Sequence, residues 1–198
     1  MSIPKKSDPF DLFQDWFNEA QGCEAIEEPT AMTLATVDAH GMPWPRIVLL
    51  KDISEQGFTF YTNLESIKGK HLADNPRAGL CFYWEPIQKQ VRIVGNVERV
   101  SDDDADAYFA SRPRESQLGA WASKQSTPLA SMNDLMTRVG EFAQQFADQD
   151  VPRPPFWSGY RLAPTVIEFW LRQPFRLHDR LEYTRDDQGV WGSENLYP

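Results

Sequence analysis

A chain of 198 residues with a net charge of −9 suits one domain with a sizeable core, and its acidity excludes a nucleic-acid binder, since phosphate backbones reward a basic surface. Its 2 cysteines are too few for a disulfide framework, and no apolar run is long enough for a membrane span or a signal core, so a reduced, cytoplasmic protein away from the membrane is expected. Aromatic residues make up 13% of the chain, with 7 tryptophans, which fits a large core or an oligomer interface.

Asp8-Pro9 predicts a helix start, an N-cap acid followed by proline at the first helical position. Phe10, Phe13, Trp16, Phe17 and Ala20 then share one face, and Gly22 closes the helix. Ala31 to Asp38 reads as a strand and Asp38-Ala39-His40-Gly41 as a turn with a solvated His40, so Trp44 to Lys51 returns as the second strand of a hairpin. Its consecutive aliphatics Ile47-Val48-Leu49-Leu50 have the pattern of a strand buried on both faces. Phe58 to Thr62 alternates as a third strand, and Asn63 to Asn75 reads as a helix stopped by Asn75-Pro76. Ala78 to Trp84, with Cys81 as a small core residue, and Lys89 to Val100 are two more strands.

Ser101-Asp102-Asp103-Asp104 caps a helix that ends before Pro113, and the polar stretch from Pro113 to Ser126 reads as a functional loop or short helix. Asn133 to Phe146 is a further helix, Pro152 to Pro155 a stiff connector, and strands follow near Trp157–Leu162, Thr165–Leu171 and His178–Thr184. No linker, repeat or nucleotide-binding motif divides the chain. A single domain over 1–198 is expected, with a flexible N-terminus over 1–7. Short links between the early strands predict an antiparallel barrel or sandwich.

Several cationic clusters stand out against the acidic background, as a phosphorylated small-molecule ligand would require. Arg46 and Lys51 flank the aliphatic strand; Ser66-Ile67-Lys68-Gly69-Lys70 enters a helix directly after a strand; Tyr108, Arg112 and Ser116 recur every four residues, although Pro113 interrupts them. In Arg176-Leu177-His178-Asp179-Arg180, an extended backbone would put Arg176, His178 and Arg180 on one side. Snorkelling cations, a solvated helix start and a charged edge strand are the plainer readings of the same residues. His71 reads as an exposed helix residue, and no group has metal-ligand or Ser-His-Asp spacing.

The motifs Arg46-Ile47-Val48-Leu49-Leu50-Lys51, Phe60-Tyr61-Thr62-Asn63, Asn75-Pro76-Arg77, Ser111-Arg112-Pro113-Arg114-Glu115-Ser116-Gln117-Leu118-Gly119-Ala120-Trp121, Ser123-Lys124-Gln125-Ser126, Ile167-Glu168-Phe169-Trp170 and Arg176-Leu177-His178-Asp179-Arg180 occur in this order. With them the chain resembles the pyridoxine (pyridoxamine) 5′-phosphate oxidases over 8–198. The resemblance implies a mainly β fold with peripheral helices (α+β), an FMN-binding split β-barrel of antiparallel Greek-key type, and a homodimer with FMN at the interface. By it, Arg46, Ile47, Val48, Leu49, Leu50, Lys51, Tyr61, Thr62, Ile67, Lys68, Gln90, Gln125, Ser126, Trp170 and Arg180 contact the flavin. Lys51, Tyr108, Arg112 and Ser116 hold the substrate phosphate, and the catalytic pair Arg176 and His178 holds the pyridine ring.

The implied reaction oxidises pyridoxine 5′-phosphate or pyridoxamine 5′-phosphate to pyridoxal 5′-phosphate and reduces O2 to H2O2. The chain departs from the family pattern in having Ile67 where the family usually has Arg, Asn195 where it has Arg, and little of a basic N-terminal arm before Asp8. A related flavin oxidase acting on another substrate, of phenazine-precursor type, and a non-catalytic FMN or pyridoxal-phosphate binding protein are the alternatives.

Overall fold

The computed structural model describes residues 2–198. Helix α1 (Pro9–Gln21) starts as its sequence predicts: the Asp8 carboxylate accepts from the Phe10 N–H at 2.8 Å, and Gly22 caps the far end. Its buried face is aromatic. Phe13 meets Phe58 at 4.9 Å and Phe82 at 5.2 Å, and Trp16 meets Phe169 edge-on at 5.2 Å. Each such side chain removed from water contributes about 1.5–3 kcal/mol, so this face fastens the helix to the sheet.

The sheet is antiparallel throughout. Strands β1 (Ala31–Val37), β2 (Pro43–Leu49), β3 (Asp52–Ser54), β4 (Gly57–Asn63), β5 (Arg77–Trp84), β6 (Lys89–Arg99) and β7 (Trp157–Leu171) run in the order β2-β1-β5-β6-β7-β4-β3. The Lys51 N–H donates to the Thr59 carbonyl at 2.8 Å, which brings the chain just past β2 back to β4 and curls the sheet into a split half-barrel. Strands β8 (Asp179–Arg185) and β9 (Trp191–Asn195) leave the barrel by pairing onto β7 and then each other.

Strand β7 decides this architecture. Its first part pairs with β4 from Trp157 to Leu162, and its second part pairs with β8 from Val166 to Leu171, while β6 pairs with it from Tyr160 to Leu171. The sequence pattern predicted separate strands at Trp157–Leu162 and Thr165–Leu171. They are one, because Pro164 sits opposite a register shift between Val94 and Gly95, where a missing N–H is tolerated. Gly95 is required there: a Cβ on it would lie 2.0 Å from the Ala163 carbonyl oxygen.

Strand β2 also departs from expectation. It was predicted to be buried on both faces, yet Ile47 is 64% exposed and only Leu50, just beyond the strand, is fully buried. The reason is its place at the end of the strand order, with β1 on one side alone. Cys81, expected in the core, is half-buried on the opposite face from Leu80 and Phe82. Near the N-terminus, Ile3 is buried and donates its N–H to the Asp179 carboxylate at 2.6 Å, and the Lys6 N–H donates to the Tyr183 hydroxyl at 3.0 Å. Met1 lies outside the described residues.

Helices α2 (Ile67–Asp74), α3 (Asp102–Ser111), α4 (Arg114–Ala122) and α5 (Met132–Gln145) border the barrel. Ser66 and Ser101 cap α2 and α3 through their hydroxyls, accepting from Gly69 and Asp104. The polar stretch after Pro113 is the helix α4, packed with α5 around a second apolar cluster of Phe109, Leu118, Phe146, Val151 and Trp157.

Candidate active site

A cavity of about 530 Å³ lies between β2, β4 and the helices α2, α3 and α4. Arg46, Ile47, Val48 and Leu49 of β2 line its wall and Lys51 joins them, whereas Leu50 is buried in the core. Tyr61 and Thr62 come from β4 and Lys68 from the first turn of α2. The Lys68 ammonium donates to Gln125 Oε1 at 2.9 Å, holding the loop after α4 against the cavity. Ile67 is at the first position of α2, 39% exposed and outside the wall.

Tyr108, Arg112 and Ser116 converge on the same cavity without a shared helix. The chain breaks at Arg112 and Pro113, and the bend between α3 and α4 aims all three inward. Tyr108 stacks on Tyr61 at 4.0 Å, and Tyr61 on Trp157 at 5.2 Å, forming an aromatic floor that sequence spacing did not reveal. The Arg112 guanidinium lies 4.9 Å from the Trp157 ring, and its buried Nη1 has no hydrogen-bond partner.

The charge balance of this cavity is one-sided. Arg46, Lys51, Lys68 and Arg112 line it, and no Asp or Glu does among the described residues. None of those cations has a carboxylate within 4.0 Å among the described residues. Burial pushes the basicities of Arg46 and Arg112 down, and burial together with Arg46 does the same for Lys68. Desolvated cations without an internal acid are stabilised by an anion entering from solution.

Other expected site residues lie elsewhere. Trp170, Arg176 and His178 line a second cavity of about 730 Å³ that shares no wall residue with the first. Gln90 pairs with Trp170 across β6 and β7 but lines neither cavity. Ser126, at φ 69°, faces a separate hollow beside Lys124. Arg180 is held by Glu168 at 2.8 Å and by the Tyr197 carbonyl at 2.8 Å. The predicted row of Arg176, His178 and Arg180 does not form. Arg176 ends a 3₁₀ turn (Pro174–Arg176) with left-handed backbone at Phe175 (φ 59°) and Arg176 (φ 63°), and β8 begins only at Asp179.

Within the second cavity, His178 Nδ1 accepts from the Gln173 N–H at 3.2 Å, so the neutral ring carries its proton on Nε2, and Trp170 packs on it at 4.5 Å. His71, expected to be exposed, is half-buried, with Nδ1 3.1 Å from Thr36 Oγ1 and its ring against Trp44.

The family description "Pyridoxamine 5′-phosphate oxidase" matches residues 19–145, and "Pyridoxine 5′-phosphate oxidase C-terminal dimerisation region" matches residues 157–198. The chain belongs to this family of oxidoreductases. Among its curated relatives, the pyridoxine/pyridoxamine 5′-phosphate oxidase of Brucella anthropi is 52% identical over 98% of this chain and 96% of its own length. That of Brucella canis is 51% identical over the same shares. Among solved structures, PhzG from Burkholderia lata, in complex with tetrahydrophenazine-1-carboxylic acid, superposes with a TM-score of 0.91 at 30% identity, covering 98% of this chain and 94% of that one. A pyridoxamine 5′-phosphate oxidase-related, FMN-binding protein from Nostoc punctiforme has a TM-score of 0.78 at 18% identity over 98% of this chain and all of its own, a likeness of fold alone. In this oxidase-family member, the matched dimerisation region begins at β7 and includes the second cavity's Trp170, Arg176 and His178.

Proposed function

We propose that the chain is a cytoplasmic, single-domain, FMN-dependent oxidase that converts pyridoxine 5′-phosphate or pyridoxamine 5′-phosphate to pyridoxal 5′-phosphate and works as a homodimer. The carrying observation is the first cavity, whose charged wall residues are all cations among the described residues in a protein of net charge −9. Two phosphorylated ligands, the flavin and the vitamer, suit that excess of cations. The orphaned Arg112 Nη1 and the Tyr61–Tyr108–Trp157 stack fit a phosphate and a flat ring respectively.

In this reading Arg46, Tyr61, Thr62, Lys68 and Gln125 hold FMN, and Lys51, Tyr108, Arg112 and Ser116 hold the vitamer phosphate. When bound, FMN supplies a two-electron acceptor that O2 reoxidises with release of H2O2. The separate second cavity is explained by a two-fold dimer, in which the partner's Arg176 and the partner's His178 close over the vitamer ring. Exposed apolar residues support such an interface: Ile47 is 64%, Tyr83 53% and Val94 47% exposed. The alcohol substrate loses a hydride from C4′ and the hydroxyl proton. The amine loses the hydride to give an imine, which water converts to the aldehyde and ammonia.

The test is aerobic H2O2 release by the FMN-loaded protein from each phosphorylated vitamer, with mass measured by sedimentation. Turnover by a dimer is expected. No H2O2 from either substrate, with flavin bound, would overturn the substrate assignment; turnover of a reduced phenazine precursor instead would favour the alternative oxidase.

A further inference from the structure

Behind Arg46 lies a hydrogen-bonded support that the substrate and flavin assignments do not use. Arg46 Nη1 donates to Thr36 Oγ1 at 2.6 Å and to the Leu34 carbonyl at 3.3 Å. Thr36 is 1% exposed, and its Oγ1 lies 3.1 Å from His71 Nδ1. A guanidinium can only donate, so the Thr36 oxygen accepts from Arg46, and the same hydroxyl shares a second hydrogen bond with His71 Nδ1. The His71 ring rests edge-on against Trp44 at 5.9 Å, and the Trp44 indole N–H donates to the Asp38 carboxylate at 3.2 Å. The relay runs from the β1–β2 turn to the cavity wall.

Resting on the flavin reading of the first cavity, we propose that Thr36 and His71 are positioning residues that hold Arg46 ready for the anionic cofactor. The acceptors on Arg46 are neutral. They immobilise one nitrogen of the fork without neutralising its charge, so that charge remains for a ligand while the rotamer freedom is already lost. A carboxylate in the Thr36 position would hold the guanidinium as firmly but compete with the ligand. Thr36 itself touches no cavity space, since it is absent from the wall that Arg46 lines.

The experiment titrates apoprotein with FMN and follows quenching of flavin fluorescence, so it needs no turnover. Thr36→Val keeps the shape and removes the hydroxyl; about tenfold weaker FMN binding is expected, and Thr36→Ser should restore it. In an Arg46→Ala background, Thr36→Val should have no further effect, because the hydroxyl acts through Arg46. His71→Ala should weaken binding about threefold, again only when Arg46 is present, and serves if Thr36→Val folds poorly. Wild-type affinity in both Thr36→Val and His71→Ala, or losses that persist without Arg46, would overturn the proposal while leaving the flavin reading intact. If Arg46→Ala alone binds FMN normally, the flavin reading of this wall fails, and the positioning role with it.

Discussion

Two clusters of basic side chains around the same antiparallel sheet have opposite internal chemistry. In the first cavity Arg46, Lys51, Lys68 and Arg112 face one another with no acid in the wall among the described residues. On β6, β7 and β8, Arg92 and Arg180 clasp Glu168, which is 3% exposed. Burial alone would raise the Glu168 pKa, but the hydrogen bonds and charges of Arg180 and Arg92 outweigh it and hold it below the ordinary carboxylate value. A cation clasped by a buried acid has an internal partner, and one without an acid is left to find its partner in solution. Arg180, expected at the flavin, pairs here with Glu168.

The largest test of that contrast is Glu168→Ala, which leaves two arginines without their acid and should cost about 2–3 kcal/mol in urea unfolding; the figure is reduced because Arg92 is half exposed. The pH dependence follows the same pair. Because the folded pKa is depressed, Glu168 contributes stability that is present above its unfolded value, near 4.5, and is lost as pH falls through the folded value. Wild type should therefore lose more stability on acidification than Glu168→Gln. Equal acid profiles would show that the clasp is energetically empty.

Arg112→Ala should behave in the reverse sense. Removing an orphaned cation should leave apoprotein stability within about 1 kcal/mol, while KM for pyridoxine 5′-phosphate rises about tenfold or more through loss of a charge-assisted contact. A large fall in stability with unchanged KM would place Arg112 with the structural cluster. Next in size, Arg176→Lys should lower kcat/KM about tenfold with FMN content unchanged, because a point charge cannot both stack on a ring and donate in a fork. Wild-type turnover would remove Arg176 from the site.

The smallest effect is expected at Phe175, which is 92% exposed in left-handed backbone at φ 59°. Phe175→Gly should gain about 0.5 kcal/mol in urea unfolding by relieving that conformation. A loss would mean that the ring packs against another copy.

Much of this was legible before any coordinates. Asp8-Pro9, Ser101 with its acids and the hairpin turn at Asp38–Gly41 declare their structure through chemistry within four residues, and each forms where expected. The phosphate-type residues were legible as types: Arg46, Lys51, Lys68, Tyr108, Arg112 and Ser116 do share one cavity. Their meeting at the break between α3 and α4, the Trp157 floor and the Thr36–His71 support left no mark in spacing, because each joins elements far apart in the chain.

Local sequence chemistry determined the kinds and approximate limits of most elements, since caps, prolines and side-chain alternation act over a few residues. Tertiary structure alone decided that β7 runs through Pro164, because the bulge needs Gly95 on a neighbouring strand to admit it. It alone decided that Arg176 and His178 line a different cavity from Lys51 and Arg112, and that a left-handed turn stands where extended backbone was expected at Arg176. It also decided which cations are free for a ligand: Glu168 reaches Arg92 across 76 residues of sequence, and only the folded sheet brings an acid to one cluster and withholds it from the other.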